Sequence, residues 1–305
     1  MIMQKNEILT HVVTDEKVLD RADIFIKSKF PQFSRSQIQK LISGKNITIN
    51  NSSIKSSTEI KYNDKITIKI PKIDKTPLIA SEIKLEIIYQ NSELLIVNKP
   101  HGIVVHPSKG HSNDTVINAL LGMDIKFEAN LGQTKPFLVH RLDKDTSGLL
   151  LVAKNEKMYS YLTEIQKKRK IKKHYLAVIN GVPDKKYATI DASISRNKSH
   201  RKKMSVNSKG RKSLTTYKVI KSNDNMSLIE LELHTGRTHQ IRVHMQALGH
   251  PIIGDTLYGK KSKLIDRQLL HAYKLEFKDN KNNVISVQNE PEKDMKEFIE
   301  FYFNN

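Results

Sequence analysis

Apolar positions at helical spacing open the chain. Val18, Leu19, Ala22, Phe25 and Ile26 recur as one stripe and predict a helix that ends near Phe30-Pro31. Ser34 stands three residues before Gln37, the spacing of a capping box, and Ile38, Leu41 and Ile42 follow as a second stripe. Gly44 is placed to stop that helix. The period then changes to two. Ile47-Thr48-Ile49 runs into an Asn50-Asn51 turn, and Lys65 to Ile70 alternates after an Asn63-Asp64 turn. Residues 18–72 therefore read as a small module of two helices and a sheet, with Arg21, Lys27, Lys29, Arg35, Lys40 and Lys45 on the polar side of its helices.

Residues 73–84, with Pro77 and several lysines, read as a linker. Over residues 85–305 short apolar runs dominate: Ile87–Tyr89, Leu94–Lys99, Gly102–Val105, Phe137–Val139, Leu149–Val152, Tyr175–Ile179, Leu214–Ile220 and Ser227–Leu233. Helical stripes fall at Thr115–Leu121, Met158–Gln166 and Gln240–Leu248. Most of these strands are joined by turns rather than by crossover helices, which predicts an α+β body around a mixed, largely antiparallel sheet. The Lys- and Asn-rich stretches 196–212 and 278–283 read as mobile loops.

Charge changes this picture. The 305 residues hold 52 Lys and Arg against 32 Asp and Glu, a net +20. Such an excess favours a polyanionic partner, with solvated surface lysines as the alternative. The absence of cysteine excludes disulfides, thiolate nucleophiles and Cys-ligated zinc. Glu7, Asp15 and Glu16 interrupt the first residues, so no signal or transit peptide is expected there. No apolar run approaches the roughly 18 residues of a membrane span. A soluble, cytoplasmic protein without a membrane partner is the expectation.

Chemistry concentrates in His140-Arg-Leu-Asp-Lys-Asp-Thr-Ser-Gly148, a polar loop between two apolar runs. Asp143-x-Asp145-x-Ser147 mimics the start of a calcium loop, but the twelfth position is Lys154 rather than a bidentate glutamate. A two-carboxylate glycosidase is disfavoured, since side chains two apart on an extended turn diverge. His239 and His244 lie five apart, so a helix separates them by about 140°. No zinc site is expected there, and His106, His111 and His140 are read as surface or structural. No Gly-rich phosphate loop is present. What remains is a carboxylate in a basic protein, and a buried Asp needs a cation or donors to stay charged. Arg237 and Arg242 are the candidates.

Two resemblances bear on this. Arg21-Ala-Asp-Ile-Phe-Ile, Phe33-Ser-Arg-Ser-Gln-Ile-Gln-Lys-Leu-Ile and Ile47-Thr-Ile-Asn resemble the S4 RNA-binding domain, in which Arg35, Ser36 and Lys40 match the helix that meets structured RNA. His140 to Gly148 resembles the HRLDxxTSG signature of the RluA-type pseudouridine synthases. Asn98-Lys-Pro with Val105-His-Pro, Lys173-His-Tyr-Leu-Ala, Gly236-Arg-Thr-His-Gln-Ile-Arg-Val-His, His250-Pro-Ile-Ile-Gly-Asp-Thr-Leu-Tyr-Gly and Leu270-His-Ala fit the same family in order.

The resemblance implies an isomerase that turns uridine into pseudouridine in RNA without cofactor or metal. It implies Asp143 as the catalytic aspartate, Tyr175 stacked on the target base, Arg242 paired with the aspartate, and Arg141 in the space vacated by the flipped nucleotide. Lys168, Arg169 and Lys172, in the basic run before Tyr175, are expected to grip phosphates, a solvated helix end being the alternative. Within the family the large-subunit rRNA D type is the nearest match and the C type second, so 23S rRNA is the expected substrate and a monomer the expected form. An RNA-binding ribosome-assembly factor and a tRNA-targeting synthase are the rival readings.

Overall fold

Alternation builds the first sheet: Ile47, Ile49, Ile66 and Ile68 are buried, Thr48 and Thr67 between them are half-buried, and Lys65 and Lys69 flanking Ile66–Ile68 face water. The computed structural model describes residues 8–16, 20–33, 35–70, 78–108, 110–130, 133–134 and 136–303, in two units, 1–76 and 77–305. Val18, Leu19, the expected cap Ser34 and residues 73–77 lie outside the described residues.

The first unit comprises β1 (Ile8–Val12), α1 (Ala22–Lys29), α2 (Arg35–Ser43), β2 (Ile47–Ile49), β3 (Ser52–Ser53) and β4 (Lys65–Lys69). Its antiparallel sheet runs β1-β4-β2-β3. Ala22, Phe25 and Ile26 of α1 and Ile38 and Ile42 of α2 share one core with the sheet isoleucines. Helix α2 does not stop on Gly44. The left-handed residue is Lys45 (φ 57°), whose N–H bonds Ile42 O while Asn46 N–H reaches Leu41 O. That paired-bond ending satisfies the last carbonyls one residue later than expected.

The second unit comprises β5 (Glu86–Gln90), β6 (Leu94–Lys99), α3 (Val116–Gly122), β7 (Ala129–Asn130), β8 (Gln133–Thr134), β9 (Phe137–Leu138), β10 (Ser147–Ala153), α4 (Glu156–Lys167), β11 (Lys172–Asn180), β12 (Tyr187–Asp191), β13 (Ile194–Arg196), β14 (Met204–Val206), β15 (Leu214–Ser222), β16 (Met226–Leu233), α5 (Gln240–Ala247), β17 (Leu270–Lys278), β18 (Val284–Gln288) and α6 (Lys293–Phe303). Its main path is β12-β15-β16-β11-β17-β10-β6-β5, with β18 beside β17 and β9 beside β10. All pairs are antiparallel except β10 with β17. Among the described residues the architecture is α+β. No helix among them is long and apolar enough to cross a membrane.

Residues 78–84 of the expected linker run along this unit: Ile79 O accepts from Asn118 Nδ2 (2.7 Å), and Ser81 N–H donates to Asn118 O (3.0 Å). Two stretches read as loose loops are ordered. Residues 194–206 form a hairpin with Arg196 opposite Met204, and Asp279 ties the β17–β18 turn by accepting the N–H groups of Lys281 and Asn283. Polar composition had hidden both, because turn-forming side chains look the same in a fixed turn as in a free loop.

Strand β10 is buried at every position and lies between β6 and β17. Its first residues come close to β17. Gly148 sits at φ 112°, and a Cβ there would lie 2.3 Å from Ala272 O. Only glycine lets the chain turn into the strand at that distance. The residues preceding this turn are the loop that carries Asp143.

Candidate active site

The loop before β10 is fixed from below. Thr146 N–H donates to Asp143 O (3.2 Å), Thr146 Oγ1 accepts from Gln268 Nε2 (2.9 Å), and Ser147 Oγ bonds His271 Nδ1 (2.9 Å). Lys99, fully buried, donates to the carbonyls of Pro100, Ile103 and Lys144 at 2.7, 2.9 and 2.9 Å. Burial lowers its pKa to about 8, with Glu292, Asp145 and Asp143 opposing that fall. His140 is half-buried and lines the same cleft as Asp143: its Nε2 accepts Leu151 N–H (3.1 Å), and burial lowers its pKa to about 3, so the ring stays neutral.

Arg242 meets this loop from α5. Its Nη1 donates to Asp143 Oδ2 at 2.9 Å, while Nε and Nη2 form a fork on Asp255 at 2.7 and 2.9 Å. Asp255 is fully buried and also accepts the N–H groups of Leu257 and Tyr258. The Tyr258 ring faces the guanidinium, 5.0 Å from centroid to Cζ. Burial works against the arginine's charge, but the two carboxylates outweigh it and hold its pKa above the usual range. A planar fork suits this double duty where an ammonium would not. Among the described residues nothing bonds Asp143 Oδ1, so that oxygen is open to the cleft.

Tyr175 enters from β11, just after a register shift against β17 that separates His174 from Tyr175. Such bulges re-aim a side chain. Tyr175 is buried, and burial together with the Asp143 charge pushes its phenol well above the ordinary tyrosine range. It keeps its proton at neutral pH. Lys173 lies two residues earlier on the same face of the strand, also buried, and burial lowers its pKa to about 8.

Asp143, Lys173, Tyr175 and Arg242 line one cleft of about 610 Å³. Its lining holds six Lys and Arg side chains (Arg141, Lys167, Arg169, Lys173, Arg237, Arg242) and one carboxylate, Asp143. Leu142, Leu233, Ile241 and Leu270 supply an apolar floor. The combination can hold a polyanion and press a flat base against Tyr175, beside a carboxyl group.

The expected residues separate here. Asp143, Tyr175, Arg242, Arg141 and Arg169 come together in the cleft. Arg141 is exposed and bonds Thr238 Oγ1 through Nη2. Helix α4 ends in the same paired-bond geometry as α2, with Arg169 at φ 58°, and this sets its side chain into the cleft. Lys168 and Lys172 are not in the lining. They pair with Glu164 (2.5 Å) and Glu276 (2.9 Å) on the outer surface, and Lys167 and Lys173 stand in the cleft instead. In the first unit Arg35 bonds Asp23, Lys40 is exposed in the last turn of α2, and Ser36 lies in α2 with its side chain outside the described residues.

Sequence reasoning gave no role to Asp255, Tyr258 or His239. Asp255 and Tyr258 stand in His250 to Gly259, a motif quoted without assignment. Its Gly254 (φ 78°) would place a Cβ 1.9 Å from Arg267 O, a sign that the turn exists to present its neighbour. His244 is structural, its ring nitrogens bonding Thr215 Oγ1 and Ala192 O at 2.9 Å each. Among the described residues no three His, Asp or Glu side chains are grouped to hold a metal ion.

The chain was compared with known proteins. Residues 93–247 match the family model described as RNA pseudouridylate synthase, and residues 20–66 match the S4 domain. The chain is 36% identical to the uncharacterized RNA pseudouridine synthase YlyB of Bacillus subtilis, over 87% of this chain and 88% of that one. It is 37% identical to proteins named ribosomal large subunit pseudouridine synthase D from Borreliella burgdorferi (86% and 83% covered) and Zymomonas mobilis (87% and 88%). The solved structure of human RNA pseudouridylate synthase domain containing 1 is similar, with TM-score 0.56 and 29% identity over 70% of this chain and 85% of that one.

Proposed function

The chain belongs to the RNA pseudouridylate synthase family, an isomerase acting on uridine in RNA, and from that premise we propose that it modifies 23S rRNA of the large ribosomal subunit with Asp143 as its catalytic carboxylate. The reaction is a net isomerisation. The N1–C1′ bond breaks, the uracil turns, a C5–C1′ bond forms, C5 loses a proton and N1 gains one. Asp143 carries this as nucleophile at C1′ or as base at C2′, and in either role it needs a charged oxygen that no other group occupies.

One observation carries the reading: Arg242 holds Asp143 through Oδ2 alone, leaving Oδ1 open in a cationic cleft. Tyr175 stacks on the flipped base with its hydroxyl protonated. Arg141 fills the gap left in the RNA, offsetting an unstacking cost of a few kcal/mol. The rRNA assignment is supported by the relatives named as large-subunit enzymes and by the S4 match, which suits docking to structured RNA. On this reading the enzyme is expected in the cytoplasm, with its RNA.

The test is pseudouridine mapping of rRNA and tRNA from cells carrying wild type, Asp143→Asn or no gene. Sites in 23S rRNA should be present with wild type and absent in the other two, while Asp143→Asn protein still binds RNA. Full modification by Asp143→Asn would remove the aspartate from the mechanism. Sites lost only from tRNA would move the substrate.

A further inference from the structure

His239 has no part in the mechanism so far, yet it sits at a cost. It precedes α5 in the left-handed region (φ 55°, ψ 22°) and makes no cap with its side chain. For a side chain other than glycine that conformation is disfavoured. A glycine would fit the backbone better, so the imidazole is the reason for the residue.

Its hydrogen bonds determine where its proton is. Met204 N–H donates to the Tyr258 hydroxyl oxygen at 2.7 Å, and that hydroxyl lies 2.8 Å from His239 Nδ1. Among the described residues Nδ1 is the acceptor available to the Tyr258 proton. Nδ1 therefore accepts and Nε2 carries the ring hydrogen. Nε2 points into the cleft, 4.0 Å from Asp143 Oδ2. The negative carboxylate favours the same tautomer. A separation of 4.0 Å is too long for a direct hydrogen bond but fits one oxygen bonded to both groups.

The chemistry of that oxygen is restricted. It must accept from Nε2–H and donate to the carboxylate. A ring ether or a carbonyl would set lone pairs against Asp143, and phosphodiester oxygens have no hydrogen to give. Within a polynucleotide the sugar group with both properties is the ribose 2′-hydroxyl, whose carbon is bonded to C1′. Resting on the family reaction proposed above, we infer that His239 reads the 2′-hydroxyl of the target uridine jointly with Asp143, and thereby selects ribose over deoxyribose at the reacting nucleotide.

The experiment uses full-length enzyme and 23S rRNA transcripts made either with uridine or with 2′-deoxyuridine throughout. Single-turnover isomerisation and binding are followed for wild type, His239→Phe and Tyr258→Phe. His239→Phe should slow the ribose transcript about tenfold, the worth of a lost buried hydrogen bond, while leaving the deoxy transcript within about twofold of wild type. Tyr258→Phe keeps its ring over Arg242 but frees the tautomer, so it should move the same ratio by about threefold. If the wild-type deoxy rate is too slow to measure, the preference of wild type for the ribose transcript in binding should vanish in His239→Phe. Equal losses on both transcripts, or none on the ribose one, would overturn the assignment. Wild type forming no pseudouridine on any RNA would instead remove the reading on which it rests.

Discussion

Asp23 in the first unit and Asp143 in the second each meet an arginine, with opposite results. Asp23 is fully buried and its oxygens are saturated: Arg21 Nε, Arg35 Nε and Gln39 Nε2 donate at 3.1, 3.0 and 2.9 Å. The arginines that hold it are half exposed, at 50% and 54%. At Asp143 the arrangement is inverted. Arg242 is 8% exposed and locked by Asp255, whereas Asp143 is 21% exposed with one oxygen open. The member of the pair that is buried and saturated is the structural one. The other is left within reach: Asp143 from the cleft, Arg21 and Arg35 from solvent.

Removing the lock should have the largest effect. Asp255→Ala leaves two guanidinium nitrogens of a buried arginine without acceptors, a loss of about 3–5 kcal/mol for a broken buried pair. Turnover should fall with it, since Arg242 would then swing toward Asp143 and occupy the open oxygen. Urea unfolding and single-turnover assays read the two effects. A variant with wild-type stability and rate would mean that Asp255 holds nothing.

Next comes the turn that delivers the loop. Gly148→Ala combines φ 112° with a Cβ 2.3 Å from Ala272 O, so β10 and β17 must part. About 2–3 kcal/mol of stability should be lost, from left-handed strain plus displaced pairing. Gly249→Ala is the control: φ is 85° but nothing lies within 4 Å of its Cβ, so only about 1 kcal/mol is at stake. Equal losses in the two variants would show that φ alone, not the close approach of β10 to β17, decides.

A smaller effect depends on pH. The Lys99 ammonium has a hydrogen for each of the three carbonyls it meets, including Lys144 O in the loop that carries Asp143. Its folded pKa of about 8 lies below the free value of 10.5, so between these values the folded chain has released a proton that the unfolded chain keeps. Stability gains from this group as pH rises through that window. The loop, however, loses one of its three hydrogen bonds, and kcat/KM should decline by about threefold above pH 8. Lys173, with a similar value, faces the cleft, so Lys173→Met separates the two. A decline that survives in Lys173→Met belongs to Lys99.

Much of this was legible in the sequence, for definite reasons. Period-two and period-3.6 stripes gave α1 to α5 and half of the strands because each has one buried face, as Ile66 and Ile68 or Met158, Leu162 and Ile165 show, whereas α6, β17 and β18 went unread and the run Gly102–Val105 forms no strand. The motif around Asp143 was legible because glycine, hydroxyls and carboxylate each have a fixed duty there. Lys168 and Lys172 could not be told apart from Lys167 and Lys173, which line the cleft, because a run of like charges does not state which members face which way. The end of α4 at Arg169 decides that. Asp255 and His239 were missed for another reason: their roles rest on contacts to Arg242 and Tyr258 across the fold, and spacing along the chain carries no trace of them.

The first unit offers the smallest test of the inversion. Burial raises the Asp23 pKa, yet the hydrogen bonds from Arg21, Gln39 and Arg35 outweigh it and bring it to about 2 against 3.8 free. A lowered folded pKa means that the stabilisation is present above 3.8 and is lost as pH falls toward 2. Its size should be about 1–2 kcal/mol, discounted because both arginines are half exposed and screened. Hydrogen-exchange protection over α1 and α2 should therefore decline between pH 4 and pH 2 in the full chain, and Asp23→Asn should start lower and stay flat across that interval. A decline of the same size in Asp23→Asn would assign it to other carboxylates. It would also show that saturating a buried carboxylate adds nothing to this unit, which would leave the contrast with Asp143 resting on the arginine alone.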